Sequence, residues 1–446
     1  MRVAFLLERF PVVSETFILR QITGLLDLGH EVDIYAQWRG DDDSVVHPAV
    51  DRYDLRRRTS YLDLPVAACF WEQPVRPLRG KTWLPGEETP IWNARRAAHA
   101  LPRLVRTFAR APRLTLATLD RREYGYQADS LSAAYRLAAL AGRGRGYDVV
   151  HAHFGPIGNN FRFVRALWRA PLVVSFHGYD LSTWPRQEGE HVYRALFRTA
   201  DAITTHSNYA VLRLRTLGCP VAKIRMLPSG IDPAQFTFRE RSLRPHEPPR
   251  LLTIARLVPI KGVEYALRAV DRLRCRWPRV RYDIVGEGPE REHLEAVVAQ
   301  LGLEDNVRFH GAQTEVRVRV LLEKAHLFIV PSINLAGDEE GLPVVLLEAQ
   351  ATGLPLVATR TGGISEGVLD GESGHLVADR DPEALCDALL SLLENPERWP
   401  EIGRRGRTHV ETNYDIRRLN RELVGIYEDV AATLKQQHAR RVGAAA

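Results

Sequence analysis

The residues most able to do chemistry in this chain sit in short polar turns that follow apolar runs. Asp338-Glu339-Glu340-Gly341-Leu342-Pro343 leads into the apolar run Val344–Leu347, which carries a second carboxylate at Glu348. Pro343 suits the first helical position, because it needs no amide partner and its φ is already helical. Gly353 and Pro355 supply the stop. Glu340 then stands just before a helix N-terminus, where unpaired amides attract an anion, and Glu348 projects from the second turn. A carboxylate beside an anion site suits a ligand that carries both hydroxyls and phosphates, although an acidic solvated turn has the same composition.

A second cluster narrows this. Arg256-Leu-Val-Pro-Ile-Lys261-Gly262 follows the apolar run Leu251–Ala255. Two cations at a strand end, beside a following helix, make a clamp for a diphosphate. Lys occurs at only five positions in the chain, which makes Lys261 more informative than a surface Lys would be. Gly286-Glu-Gly288-Pro289 permits close backbone approach but is weak as a motif, and Thr361-Gly362-Gly363 is another glycine turn able to face the same cleft. In the first half, His177 follows the buried-type run Leu172–Phe176, and Ser14 and Glu15 follow the first strand. A capping Ser with a first-turn Glu accounts for that last pair as well as a binding role does.

These turns must be positioned by a repeating strand and helix grammar. Arg2–Leu7 reads as a buried strand, the stretch from Ser14 as a helix with apolar residues at helical spacing, and Glu31–Tyr35 as the next strand. Strand, helix and strand within about 35 residues opens a parallel sheet. The pattern returns at Asp148–His151, Leu172–Phe176, Ala202–Thr205 and Ile224–Leu227. After a charged, Pro-bearing stretch at 237–250 it restarts, with strands at Leu251–Ala255, Arg281–Val285, Val307–His310, Leu327–Val330, Leu356–Thr359 and His375–Val377. The expected architecture is α/β, with two Rossmann-like doubly wound domains facing a cleft. The expected domains are 1–235, with an Arg-rich helical insertion at about 55–146, and 236–415, followed by a helix within 416–446 crossing back to the first. That insertion holds eleven Arg against three acids between Ile91 and Gly146. It reads either as core helices with a basic outer face or as a surface for anionic lipid or a diphosphate-linked acceptor.

Composition bounds the rest. With 446 residues, 45% hydrophobic and 26% charged, the chain is globular and too long for one core. The charge of +6 is modest, and no nucleic-acid partner is expected. Four widely spaced cysteines lack metal-ligand spacing and read as reduced thiols. Asp41-Asp42-Asp43 reads as a solvated loop rather than a metal site. The apolar run at the N-terminus breaks after five residues, which reads as a first strand and not a signal peptide. A cytoplasmic location is therefore expected, with a peripheral position on the inner face of the cell membrane left open.

The combination Arg256…Lys261, Gly286-x-Gly288-Pro289, Glu340-x7-Glu348 and Gly362-Gly363 resembles family 4 of the retaining glycosyltransferases, with the GT-B fold. Phe10-Pro-x-x-Ser14-Glu15-Thr16-Phe17-Ile18, His151-x-His153-Phe-Gly and His177-Gly-Tyr-Asp180 are similar to a branch that assembles bacterial exopolysaccharides such as colanic acid. The resemblance implies a hexosyl transfer from a UDP-, GDP- or ADP-linked sugar to a glycan acceptor, lipid-linked or otherwise, with no metal and no other cofactor. It also implies roles for individual residues. Arg256 and Lys261 would hold the diphosphate, with Gly286 and Gly288 nearby, and Glu348 the ribose. Glu340 would contact the sugar, with the amides of Gly341, Leu342, Pro343 and Val344 approaching sugar or phosphate; Pro343 has no N–H and enters only as part of that backbone run. His177 would lie near the anomeric centre, and Ser14, Glu15 and His153 would face the acceptor. Many relatives carry a Gly-Gly pair after the first strand, where this chain has Glu8-Arg-Phe-Pro-Val-Val-Ser14. A transferase acting on a soluble natural product and a sugar-nucleotide epimerase on the same scaffold are the rival enzymes. A membrane- or polysaccharide-binding module is the rival outside enzymology.

Overall fold

The computed structural model describes residues 1–12, 15–40, 47–62, 64, 94–144, 146–335 and 340–443. Ser14, the Asp41–Asp43 triplet, Asp338 and Glu339 lie outside them.

Two all-parallel sheets organise the chain. The first runs β1 (Arg2–Phe10), β2 (Glu31–Arg39), β3 (Thr59–Tyr61), β4 (Val149–His153), β5 (Leu172–Phe176), β6 (Ala202–Thr205) and β7 (Ile224–Met226). Its spatial order is β3-β2-β1-β4-β5-β6-β7. The second runs β8 (Arg250–Ile254), β9 (Arg281–Val285), β10 (Val307–Phe309), β11 (Leu327–Val330), β12 (Leu356–Thr359) and β13 (His375–Val377), in the order β10-β9-β8-β11-β12-β13. In each sheet the chain winds outward one way, then returns to the centre and winds the other way. The switch falls between β1 and β4, with Val3 opposite Val149, and between β8 and β11, with Leu327 opposite Leu251. Crevices at the carboxyl ends of strands beside such a switch are where open α/β sheets hold ligands.

Both faces of the second sheet are packed, which explains its short strands with apolar residues at consecutive central positions. Leu251, Tyr282, Leu327, Ile329 and Val357 point into one core, while their strand neighbours Leu252, Phe328, Val330, Leu356 and Ala358 point into another. The first sheet has one continuous core around Phe5, Ile34, Val150, Val174 and Ile203. Helix α1 (Thr16–Asp27) buries Ile18, Leu19, Ile22 and Leu25 against it.

Strand ends differ from expectation by a few residues. β1 continues to Phe10 because Arg9 and Phe10 still pair with Trp38 and Arg39. β4 continues through His153, whose register partner is Ser175. Thr59–Tyr61 forms edge strand β3, which is too short to show a hydrophobic period. The Arg-rich region contains helices α2 (Ala94–Arg110) and α3 (Pro112–Leu119), two single turns, and a helix at Ser132–Leu140. The last long helix, Ile416–Gly443, places Leu419, Leu423, Tyr427 and Val430 in the core of the first domain.

Candidate functional site

Loops from the carboxyl ends of both sheets enclose a cleft of about 640 Å³. From the first sheet come Glu8 and Arg9 at the end of β1, Glu15 and Phe17 after it, Phe154 after β4, His177 after β5, and His206 after β6. From the second come Arg256 and Lys261 after β8 and Glu340–Val345 after β11.

On the second-domain wall, Lys261 Nζ lies 2.6 Å from Glu340 Oε2, both side chains being about one-sixth exposed. Arg256 projects from the same loop and has no carboxylate partner among the described residues. Gly262 lets that loop turn at φ +59°, with Pro331 O only 2.1 Å from where a Cβ would stand. Helix Val344–Ala351 then begins with Pro343 as its cap rather than as its first residue, at φ −64° and ψ 122°. The Gly362-Gly363 turn buttresses this wall from behind. Gly363 N donates to Glu340 O at 3.0 Å, and a Cβ on Gly363 would meet Leu342 N at 2.9 Å.

Gly286 and Gly288 are not on the cleft wall. They press against the backbone of the Arg256 loop, where a Cβ would meet Ala255 O at 1.8 Å and Leu257 O at 2.3 Å. Leu257 N donates to Glu287 O at 2.9 Å across the same junction. The close approach they permit in this structure is between two segments of this chain, at the loop that carries Arg256.

Glu348 also stands elsewhere than expected. Its Oε1 accepts from Arg20 of α1 at 2.8 Å, each side chain being 14% exposed, so in this structure it ties the second domain to the first. Asn420 Nδ2 donates to Arg20 O at 3.2 Å, which brings the returning helix to the same junction. Two further contacts cross the domains. Glu366 accepts from the Asn208 and Tyr209 amides at the start of helix Asn208–Thr216, and His47 Nε2 meets Glu315 Oε2 at 2.8 Å.

The first-domain wall is built around histidines. Asp180, fully buried, accepts from the amides of His177 and Gly178 and, through its other oxygen, from Gly155, each at 2.9 Å. This single carboxylate fastens the two motifs His-Gly-Tyr-Asp and His-x-His-Phe-Gly together. His177 stacks on His153, with ring planes 5° apart and Nε2 3.1 Å from His153 Nδ1, while Phe17 and Phe154 flank it. His153 is 0% exposed, so it does not face an acceptor; it lies beneath His177 because β4 runs two residues further than expected. Behind it, His151 holds Tyr427 Oη at 2.6 Å and Ser175 Oγ at 2.7 Å. Desolvation, reinforced by neighbouring imidazoles, holds His153 and His177 well below the usual histidine range, and desolvation alone takes His151 down to about 3. His177 therefore meets the cleft as a neutral ring. His206 reaches across to His177 O, and a Cβ on Gly341 would meet His206 Cε1 at 2.8 Å, so the two walls touch here.

Of the residues marked by sequence, the cleft gathers Glu15, His177, Arg256, Lys261, Glu340 and Gly341–Val344. Phe17, Phe154, Tyr179 and His206 line it without having been marked as site residues, and Arg20 was missed at the domain junction. His206 had a legible signal, a polar residue at a strand end directly before the helix cap Ser207. The aromatic residues had none, since nothing local separates an aromatic cleft wall from a core.

Comparison with known proteins gives this geometry a family. Residues 85–235 match the model described as Glycosyltransferase Family 4, and residues 234–409 match Glycosyl transferases group 1. An Escherichia coli (strain K12) protein named for colanic acid biosynthesis is 33% identical, over 96% of this chain and 100% of that protein. The amylovoran biosynthesis glycosyltransferase of Erwinia amylovora is 32% identical over 97% and 100%. The chain belongs to the family 4 glycosyltransferases. The fold of this glycosyltransferase is GT-B. Anabaena HepE in complex with UDP aligns at a TM-score of 0.67 with 16% identity, covering 96% of this chain and 100% of that one. Sucrose-phosphate synthase from Thermosynechococcus elongatus aligns at 0.64 with 20% identity over the whole of both chains. At those identities the likeness is one of fold. Among the described residues of this glycosyltransferase, no group of three or more His, Cys, Asp or Glu could hold a metal ion, and no helix is long and apolar enough to cross a membrane.

Proposed function

We propose that this glycosyltransferase moves a hexosyl group from a nucleotide sugar to a glycan acceptor during exopolysaccharide assembly, with retention at the anomeric carbon. The observation that carries this reading is the meeting of Arg256, Lys261, Glu340 and the start of helix Val344–Ala351 in one cleft, opposite the neutral ring of His177. The names of the full-length relatives supply the exopolysaccharide context. The UDP-bound neighbour makes a uridine nucleotide the first donor to test.

As the bond from anomeric carbon to phosphate oxygen breaks, negative charge grows on the departing diphosphate. Arg256, Lys261 and the amides at the helix start meet that charge with dipoles already in place, so this role needs no divalent ion. Glu340 holds the sugar hydroxyls, and His177 offers a hydrogen-bonding atom near the oxocarbenium-like centre without adding a positive charge beside it. The acceptor hydroxyl attacks from the face that the diphosphate leaves and gives its proton to the leaving phosphate oxygen. No carboxylate nucleophile is then required, unlike in a retaining hydrolase. In this reading the acceptor meets Glu8, Arg9, Glu15 and Tyr179, which line the first-domain side of the cleft.

The test is a thermal-shift panel of UDP-, GDP- and ADP-sugars, followed by NMR of the product anomeric proton and by EDTA treatment. One donor class should raise Tm, give a product of unchanged anomeric configuration, and turn over equally in EDTA. Failure of every donor to shift Tm, together with no transfer, would overturn the reading of the cleft. An inverted product or loss of turnover in EDTA would overturn the mechanism alone.

A further inference from the structure

Large apolar side chains exposed to solvent concentrate on one small part of the molecule. Among the described residues thirteen are exposed, and five of them lie on the consecutive helices α2 and α3. On α2 these are Leu101 at 62%, Val105 at 61% and Phe108 at 47%, spaced i, i+4 and i+7 so that they form one stripe. Ala100, Leu104 and Thr107 on another face of the helix pack into the first domain, so the exposed stripe is not a core face left open. Leu116 at 59% and Leu119 at 41% extend the apolar surface onto α3.

The charges around the stripe are of one sign. Arg103, Arg106 and Arg110, spaced i, i+3 and i+7, form a second exposed row along α2, and Arg113 on α3 is exposed as well. From Ala94 to Leu119 the sequence contains no acidic residue. By their spacing the apolar row and the guanidinium row lie on opposite sides of α2, with its open face between them. A helix lying on a lipid interface by that face can set alkyl side chains below the headgroups and cations among the phosphates. A protein partner would call for acids to meet the same arginines, but would gain little from so narrow a stripe. A bilayer supplies both phosphates and an apolar interior.

The helices are also fixed at the working end of the first sheet. Arg136, in the helix that packs against α2 and α3, donates through Nε to Gln37 at 3.0 Å. Gln37 lies between Ala36 and Trp38, the register partners of Leu7 and Arg9, and Arg9 lines the cleft.

We propose that the face formed by Leu101, Val105, Phe108 and Leu116, with its arginine row, docks this glycosyltransferase on an anionic lipid bilayer beside the acceptor side of the cleft. This deepens the proposed function, because it gives the acceptor a lipid-borne setting.

The experiment is flotation of the full chain with phosphatidylglycerol-containing vesicles and with pure phosphatidylcholine vesicles, across a salt series. Binding should need the anionic lipid and fall as salt rises. The Leu101→Ser/Val105→Ser/Phe108→Ser variant should bind about tenfold more weakly at every salt. Arg106→Glu/Arg110→Glu should lose binding chiefly at low salt. Because these side chains are exposed, both variants should keep the wild-type Tm and the donor-induced shift in Tm measured without vesicles. That donor shift reports on the cleft alone, so its absence would count against the proposed function and not against docking. Equal binding to both vesicle types, binding untouched by either variant, no binding by the wild-type chain, or a dimer abolished by the serine variant would each overturn the docking proposal.

Discussion

Lys261 and Glu340 form an ion pair with each other, 2.6 Å apart, on the wall where a diphosphate and a sugar would lie. The pair holds both side chains in the cleft before any ligand arrives, and a donor must exchange that contact for its own. Both side chains line the open cleft, so a charge left by removing its partner is met by cleft water, and the pair contributes only modestly to stability. Lys261→Ala and Glu340→Ala should therefore keep Tm within a few degrees of wild type while kcat/KM for transfer falls about 100-fold or more. Wild-type turnover in both variants would show that the pair lies outside the reacting site.

The Arg20–Glu348 pair lies at the domain junction and should behave differently. Arg20→Met keeps the length of the side chain but leaves Glu348 without its cation. We expect a loss of about 1–3 kcal/mol on urea unfolding. Small-angle scattering of the unliganded protein should also show a larger radius of gyration as the two domains separate. An unchanged scattering profile would mean that the remaining contacts, those of Glu366, His47, His206 and the last helix, hold the domains together without this pair.

Gly286→Ala tests whether the glycine turn serves the chain or a ligand. The new Cβ would meet Ala255 O at 1.8 Å, at φ +135°, where a side chain is strained regardless of space. The strand β8 loop must shift and carry Arg256 with it. We expect a stability loss of about 1–3 kcal/mol together with a raised KM for the donor. A raised KM with wild-type stability would instead place Gly286 directly against the donor.

The buried histidines set the sign of the pH dependence. Burial takes His151 down to about 3 and holds His153 and His177 well below the ordinary value near 6.5, so the unfolded chain binds protons that the native state refuses. Their contribution is complete above about pH 6.5 and is lost as pH falls toward their native values. Glu315, drawn down to about 2 chiefly by its hydrogen bond to His47, adds a loss of the same sign only below the ordinary carboxylate range. Buried Asp180, whose carboxyl is raised by desolvation, acts in the opposite sense. Calorimetry should show Tm falling by about 5 °C or more from pH 7 to pH 5. A flat profile there would mean that the imidazole stack takes up protons in the folded state.

The amino-acid sequence alone determined the two-sheet α/β plan, the second-domain strands nearly to the residue, and the cleft turns carrying Arg256, Lys261 and Glu340. It could do so because each is local. A short apolar run, a turn and a helix start stand next to one another in the chain, and their residue types reveal their chemistry. The tertiary structure alone decided which carboxylate meets which cation, and which histidine faces the cleft. Glu348 pairs with Arg20 more than three hundred residues away, Tyr427 of the last helix bonds to His151, and Gly286 packs on Ala255. His153 is hidden because β4 extends two residues further and turns its ring beneath His177. The apolar spacing of α2 was visible in sequence, but periodicity does not separate a buried face from an open one. Only the packed neighbours of Leu104 and Thr107 show that Leu101, Val105 and Phe108 are left to the solvent.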